Sequence, residues 1–145
     1  MIKYIRNEKG GGEILSFLVV LPIIIWLFSY MILGGLFLIE VNELSTIVNK
    51  KLDIAIVNGQ FTTDEKNNLI NELNEKGYKK EKLVIEISPE AASDTNNETY
   101  VKRGQEISIK VIYEQAHPFY LINFGLASEE NFYPKTKVTG MSEKW

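Results

Sequence analysis

The chain has 145 residues, 45% of them hydrophobic and 24% charged, with a formal net charge of −3 and no cysteine. That length allows one domain plus something small, and the missing cysteines exclude disulfides and thiolate metal sites. The charge is unevenly placed: residues 1–12 carry Lys3, Arg6 and Lys9 against Glu8, a local +2, whereas residues 40–145 hold 13 basic and 17 acidic residues, a local −4. A nucleic-acid binder would show a basic patch or stripe, so that class of partner is not expected.

The first feature in chain order is a run of three glycines, Gly10 to Gly12, followed by one carboxylate, Glu13. From Ile14 to Ile39 there follow 26 residues without a charge. About 20 such residues cross a hydrocarbon core of roughly 30 Å, so 14–39 is expected to be a membrane-spanning helix. A cleaved secretory signal is the rival reading, with Leu33-Gly34-Gly35-Leu36 offering small residues. Signal h-regions end after about 7–15 residues, whereas this run continues through Phe37, Leu38 and Ile39. Basic residues before the span and Glu40 and Glu43 after it place the N-terminus in the cytoplasm and the rest outside.

The helix is expected to continue beyond the membrane. Val41, Leu44, Val48, Leu52 and Ala55 recur at spacings of three and four, a single apolar stripe, and Asn58-Gly59 is a natural terminus. One helix from Ile14 to Val57 would be roughly 65 Å long. Pro22 interrupts it, removing a backbone donor and freeing the Leu18 carbonyl.

A second helix is predicted over FTTDEKNNLINELNEKGY. Thr62 and Glu65 form a capping box, Asp64 and Glu65 suit the first turn, Gly77 suits the end, and Leu69, Ile70 and Leu73 give an apolar side. Lys79 to Lys82 reads as a solvated link. Beyond it the period becomes two, with Leu83, Ile85 and Ile87 on one face and then Ile107, Ile109, Val111 and Tyr113. These strands are expected to cover the stripe on the long helix. Residues 89–98 read as a polar loop, Arg103-Gly104 as a turn, and residues 135–141 as a weaker third strand. The segment HPFYLINFGL, 117–126, is apolar and irregular, and is expected over the sheet or against the long helix.

Catalytic signals are scarce. His117 is the single histidine and is followed by proline in a loop, and the carboxylates show no metal spacing such as HExxH or an EF-hand loop. Gly10 to Gly12 precede a membrane span rather than follow a strand, so they are not a phosphate cradle. Asn97-Glu98-Thr99 fits a glycosylation sequon. No enzyme activity, cofactor, metal or small-molecule substrate is expected.

A short basic leader, a glycine, a few residues and then Ser16-Phe17-Leu18-Val19-Val20-Leu21-Pro22 resembles the TadE-like minor pilins of tight-adherence systems, relatives of type IV pili. In that family a glycine is followed by four residues and then a block such as EFALVLPLLL. About 14 N-terminal residues match, and GQEISIKVIYEQAHPFYL and FYPKTKVTGMSEKW match the family's later elements in pattern only. One departure stands out: Ser16 occupies the place of the family's glutamate, and the carboxylate here is Glu13.

The resemblance implies an α+β lollipop. Residues 1–13 would be a cytoplasmic basic leader with a glycine hinge, 14–39 the transmembrane helix, 40–58 its amphipathic extension and 59–145 an extracytoplasmic head. A prepilin peptidase would cut between Gly11 and Gly12. Glu13, Ser16 and Pro22 would then serve assembly with other pilin-like subunits through the N-terminal helix, within membrane lipid. The alternative is a permanently anchored accessory subunit of a conjugation or secretion machine that no peptidase processes.

Overall fold

The structure, a computed structural model, describes residues 8–93, 100–123 and 126–145. The sequon at 97–99 and the leader residues Lys3 and Arg6 lie outside that set.

Helix α1 runs without interruption over Glu8–Asn58, 51 residues, with Pro22 inside it. At 1.5 Å per residue it is about 75 Å long. It starts earlier than the apolar run, so Gly10, Gly11 and Gly12 are helical rather than an extended hinge. Glycine is about 1 kcal/mol worse than alanine in a helix, so the helical propensity of this first part is low. Its other end lies where the sequence places it. Gly59 takes a positive φ of 70° just past Asn58, and the Glu143 N–H donates to the Ile56 carbonyl at 2.9 Å, satisfying one of the last-turn acceptors.

Helix α2 spans Thr63–Glu75. The capping box is present: the Glu65 N–H donates to Thr62 Oγ1 at 3.2 Å and the Thr62 N–H to Glu65 Oε2 at 2.9 Å. Leu69 and Leu73 are buried. Lys51 on α1 reaches Glu72 at 2.9 Å and Lys76 reaches Glu43 at 3.0 Å, joining the polar flanks of the two helices.

Three strands follow: β1, Leu83–Ser88; β2, Glu106–Tyr113; and β3, Lys135–Met141. They form an antiparallel sheet in the order β1-β2-β3, with Ile85 opposite Val111 and Ile109 opposite Val138. Alternation then sends one set of side chains inward. Ile107, Ile109, Val111 and Tyr113 are buried with Leu44, Val48, Leu52 and Ala55 of α1, and Leu83, Ile85 and Ile87 pack against them. Ile47, which is off the predicted stripe, joins this core, while Val41 is only half-buried. The outer face is polar, with Lys110 Nζ 2.8 Å from Glu86 Oε2.

Short 3-10 turns occupy Lys80–Lys82, Glu90–Ser93, Pro118–Asn123 and Glu129–Phe132. The first two replace the plain link and the start of the polar loop expected from sequence. The molecule is thus an α+β lollipop, a long apolar helix whose distal half is the spine of a small head.

Candidate functional site: the exposed apolar half of the long helix

The surface most unlike that of a water-bathed domain is the N-terminal half of α1. From Ile14 to Ile32 nearly every side chain is exposed, including Phe17, Leu18, Ile23, Leu27 and Phe28. This helix is long and apolar enough to cross a membrane, and its apolar window is not buried by the head. An α-helix suits that setting because its backbone bonds close within the segment.

The residues singled out from sequence all lie on this part of α1. Gly11 and Gly12 sit in its first turns, and a Cβ on Gly12 would meet nothing within 4 Å. Glu13 and Pro22 are exposed. Ser16 Oγ donates to the Gly12 carbonyl at 2.8 Å, one turn back. That hydroxyl is therefore satisfied within its own helix, and among the candidates only Gly12 and Ser16 are brought together by a bond. Proline at 22 has no N–H for the Leu18 carbonyl, yet the helix passes through it.

Toward the head, α1 acquires a partner. Trp26, Tyr30, Gly34 and Phe37 fall at helical spacing on one side, and the 117–123 segment lies along them. Trp26 Nε1 donates to the Ile122 carbonyl at 3.2 Å. The Tyr30 and Phe119 rings are 4.9 Å apart, Phe37 stacks 6.2 Å from Phe119, and Phe132 meets Phe119 edge-on at 5.6 Å. Gly34 faces the Phe119 ring. Of the two places the sequence allowed for this segment, the long helix is the one it occupies. The aromatic collar itself escaped the sequence reading. Its signal was there: three aromatic residues and a glycine on one helix face, and an aromatic-rich segment with no charge.

His117 closes the top of the collar. Its Nδ1 accepts the Phe119 N–H at 3.2 Å, which leaves the ring proton on Nε2, 3.9 Å from Glu40 Oε2. Burial pushes the imidazole pKa below its ordinary value. Burial, and then Glu43, push the Glu40 carboxyl up. Tyr78, edge-on to Tyr113 at 5.0 Å, donates its hydroxyl to the Glu40 carbonyl at 3.3 Å. Histidine here pins a segment to a helix. Among the described residues, no three His, Asp or Glu side chains are grouped to hold a metal ion.

The chain matches no protein-family model, no curated protein and no solved structure.

Proposed function

We propose that this chain is a single-pass, pilin-like structural subunit, similar to the TadE-like minor pilins of tight-adherence systems, with a cytoplasmic N-terminus and an external head. The observation that carries the reading is the division of α1. One continuous helix is head core over its distal half and exposed apolar surface over most of its proximal half. Such a helix can exchange lipid for the same helix of a neighbouring subunit without unfolding the core of the head, which is the property a filament or its initiating complex requires. The basic leader and the acidic distal flank support the orientation. The reading assigns no reaction to the chain.

On this reading prepilin peptidase cuts between Gly11 and Gly12. A protease binds extended backbone, so the first turns of α1 have to open, and three consecutive glycines keep that cost low, about 1 kcal/mol each relative to alanine. Glu13, second in the processed chain, would stand near a neighbour's new amine.

One observation favours the second reading, a permanent anchor in a conjugation or secretion machine. Ser16, at the family's glutamate position, spends its hydroxyl on the Gly12 carbonyl and offers no charge to a partner. The two readings separate on co-expression with an active prepilin peptidase and mass spectrometry of the N-terminus. Loss of residues 1–11, abolished by Gly11→Leu, supports the pilin. An intact Met1 end supports the anchor.

A further inference from the structure

The chain has a second uncharged stretch. Residues 115–128, between Glu114 and Glu129, contain no Asp, Glu, Lys or Arg. The described part of this stretch does not cap the head. It descends along α1, from His117 beside Glu40 to Ile122 bonded to Trp26. Trp26 lies 13 residues before Ile39, the end of the uncharged helical run. At 1.5 Å per residue the tip therefore reaches about 20 Å toward the N-terminus from that end.

That reach conflicts with a head held clear of the bilayer. A hydrocarbon core of roughly 30 Å takes about 20 helical residues. If the core begins at Ile14, it ends near Gly34, and Trp26 is about 12 Å inside it. If the helix is drawn as far toward the cytoplasm as Lys9 permits, the core ends near Ser29, and Trp26 is still about 5 Å inside. Either placement puts the 119–122 tip at or below the head-side membrane surface.

The segment is built for that position. Irregular backbone survives at membrane depth only when its polar groups are partnered. Here the Tyr120 N–H donates to the His117 carbonyl at 3.1 Å, the Phe119 N–H to His117 Nδ1, and the Ile122 carbonyl accepts from Trp26. Phe119 turns inward onto Tyr30 and Gly34, while Leu121 and Leu126 are 67% and 85% exposed. Tyr30 and Tyr120 are amphipathic rings of the kind that settle at the headgroup level, and Trp26, deeper, has its indole N–H partnered by the Ile122 carbonyl. The acidic residues next to the stretch, Glu114, Glu129 and Glu130, are exposed.

We infer that residues 119–122 form a lipid-inserting wedge that seats the head on the membrane against the acyl–headgroup boundary of the head-side leaflet, with His117 above it beside Glu40. The inference rests on the reading of α1 as a membrane span. It makes the molecule a two-point membrane protein with a fixed head orientation rather than a head swinging on a stalk. Leaving the bilayer then requires the wedge to be re-covered as well as the helix.

The test uses the full chain in phosphatidylcholine–phosphatidylglycerol vesicles. It is free of cysteine, so single-cysteine variants can be labelled with an environment-sensitive fluorophore. Leu121→Cys reports the wedge, Leu18→Cys the span, and Lys137→Cys the exposed outer face of the sheet. Quenchers are a lipid with a nitroxide at the shallow acyl positions and aqueous iodide. The wedge predicts that the Leu121 label is quenched by the lipid several-fold more than the Lys137 label, and by iodide several-fold less. Iodide quenching at Leu121 equal to that at Lys137, with Leu18 quenched by lipid, overturns the wedge and leaves the span intact. Shielding of Leu121 from both quenchers would place another protein copy there and also overturns it. A Leu18 label open to iodide removes the span, and the wedge with it.

Discussion

Gly34 on α1 and Phe119 in the 117–123 segment meet directly: a Cβ on Gly34 would lie 3.4 Å from two carbons of the Phe119 ring. The small size of residue 34 is what lets the segment lie flat on the helix. Gly34→Ala places a methyl at ordinary contact distance and is expected to be nearly neutral. Gly34→Leu drives into the ring and should lift the segment. The readout is Trp26 emission in detergent, in a Trp145→Phe background because the chain has a second tryptophan, and it should move with the leucine variant and stay put with alanine. Equal spectra for all three proteins would mean that the contact does not hold the segment down.

The core of the head tests the stripe on α1. Leu52 is 3% exposed and sits among Ile107, Ile109 and Val111 in the buried cluster. Burying a leucine is worth about 1.5–3 kcal/mol, and an unpaired carboxylate in its place adds a penalty of its own. Leu52→Asp should abolish the cooperative thermal transition of the full-length protein in detergent. Ile54, 40% exposed on the same helix, should tolerate Gln within about 1 kcal/mol. Retention of the transition by Leu52→Asp would contradict the packing.

Gly59 should be the least replaceable of the positive-φ glycines. An L-residue at left-handed φ costs about 1–2 kcal/mol, and at Gly59 a Cβ would also lie 2.7 Å from Lys144 Cβ and 3.0 Å from the Val101 carbonyl. That carbonyl is itself tied down by the Ser142 hydroxyl at 2.7 Å. Gly104 has a similar φ with nothing within 4 Å. Gly59→Ala should therefore lower the urea midpoint further than Gly104→Ala, and equal shifts would show that backbone conformation alone matters there.

Docking of the 117–123 segment should weaken on mild acidification. Burial depresses the His117 pKa below its usual 6.5, so the folded state favours the neutral ring. Its stabilising contribution is complete above pH 6.5 and is lost as pH falls through the depressed value. Glu40 works the other way. Its raised pKa gives a contribution that is complete below 4.5 and lost as pH rises through the raised value. Trp26 emission in the same Trp145→Phe background, titrated from pH 7.5 downward, should show a transition below 6.5 that disappears in His117→Gln and persists in Glu40→Gln. A transition unchanged in His117→Gln would assign it to another group.

Topology is tested on intact spheroplasts. With the N-terminus inside, external protease should digest residues 60–145 and spare an N-terminal tag. Protection of the head with loss of the tag would reverse the orientation.

Several elements could be read one residue after another. The uncharged run Ile14–Ile39 announces its helix because lipid compatibility is a property of the segment alone. The Thr62–Glu65 capping box and the period-two strands are equally local: their bonds or faces are set by residues two to four apart. The same limit explains what was missed. Whether Gly10 to Gly12 are hinge or helix depends on the helix that continues beyond them, and the burial of Ile47 depends on elements far from it in sequence. Gly34 looked like part of a signal-cleavage pattern and instead faces Phe119, while Gly140 of β3 lets the strand approach Ile56 of α1. The bond from Trp26 to Ile122 joins residues 96 apart. An aromatic residue in sequence carries no sign of which distant ring it will meet. That choice is made when the sheet packs onto α1, because the direction in which the chain leaves β2 then determines which face of the helix the following segment covers.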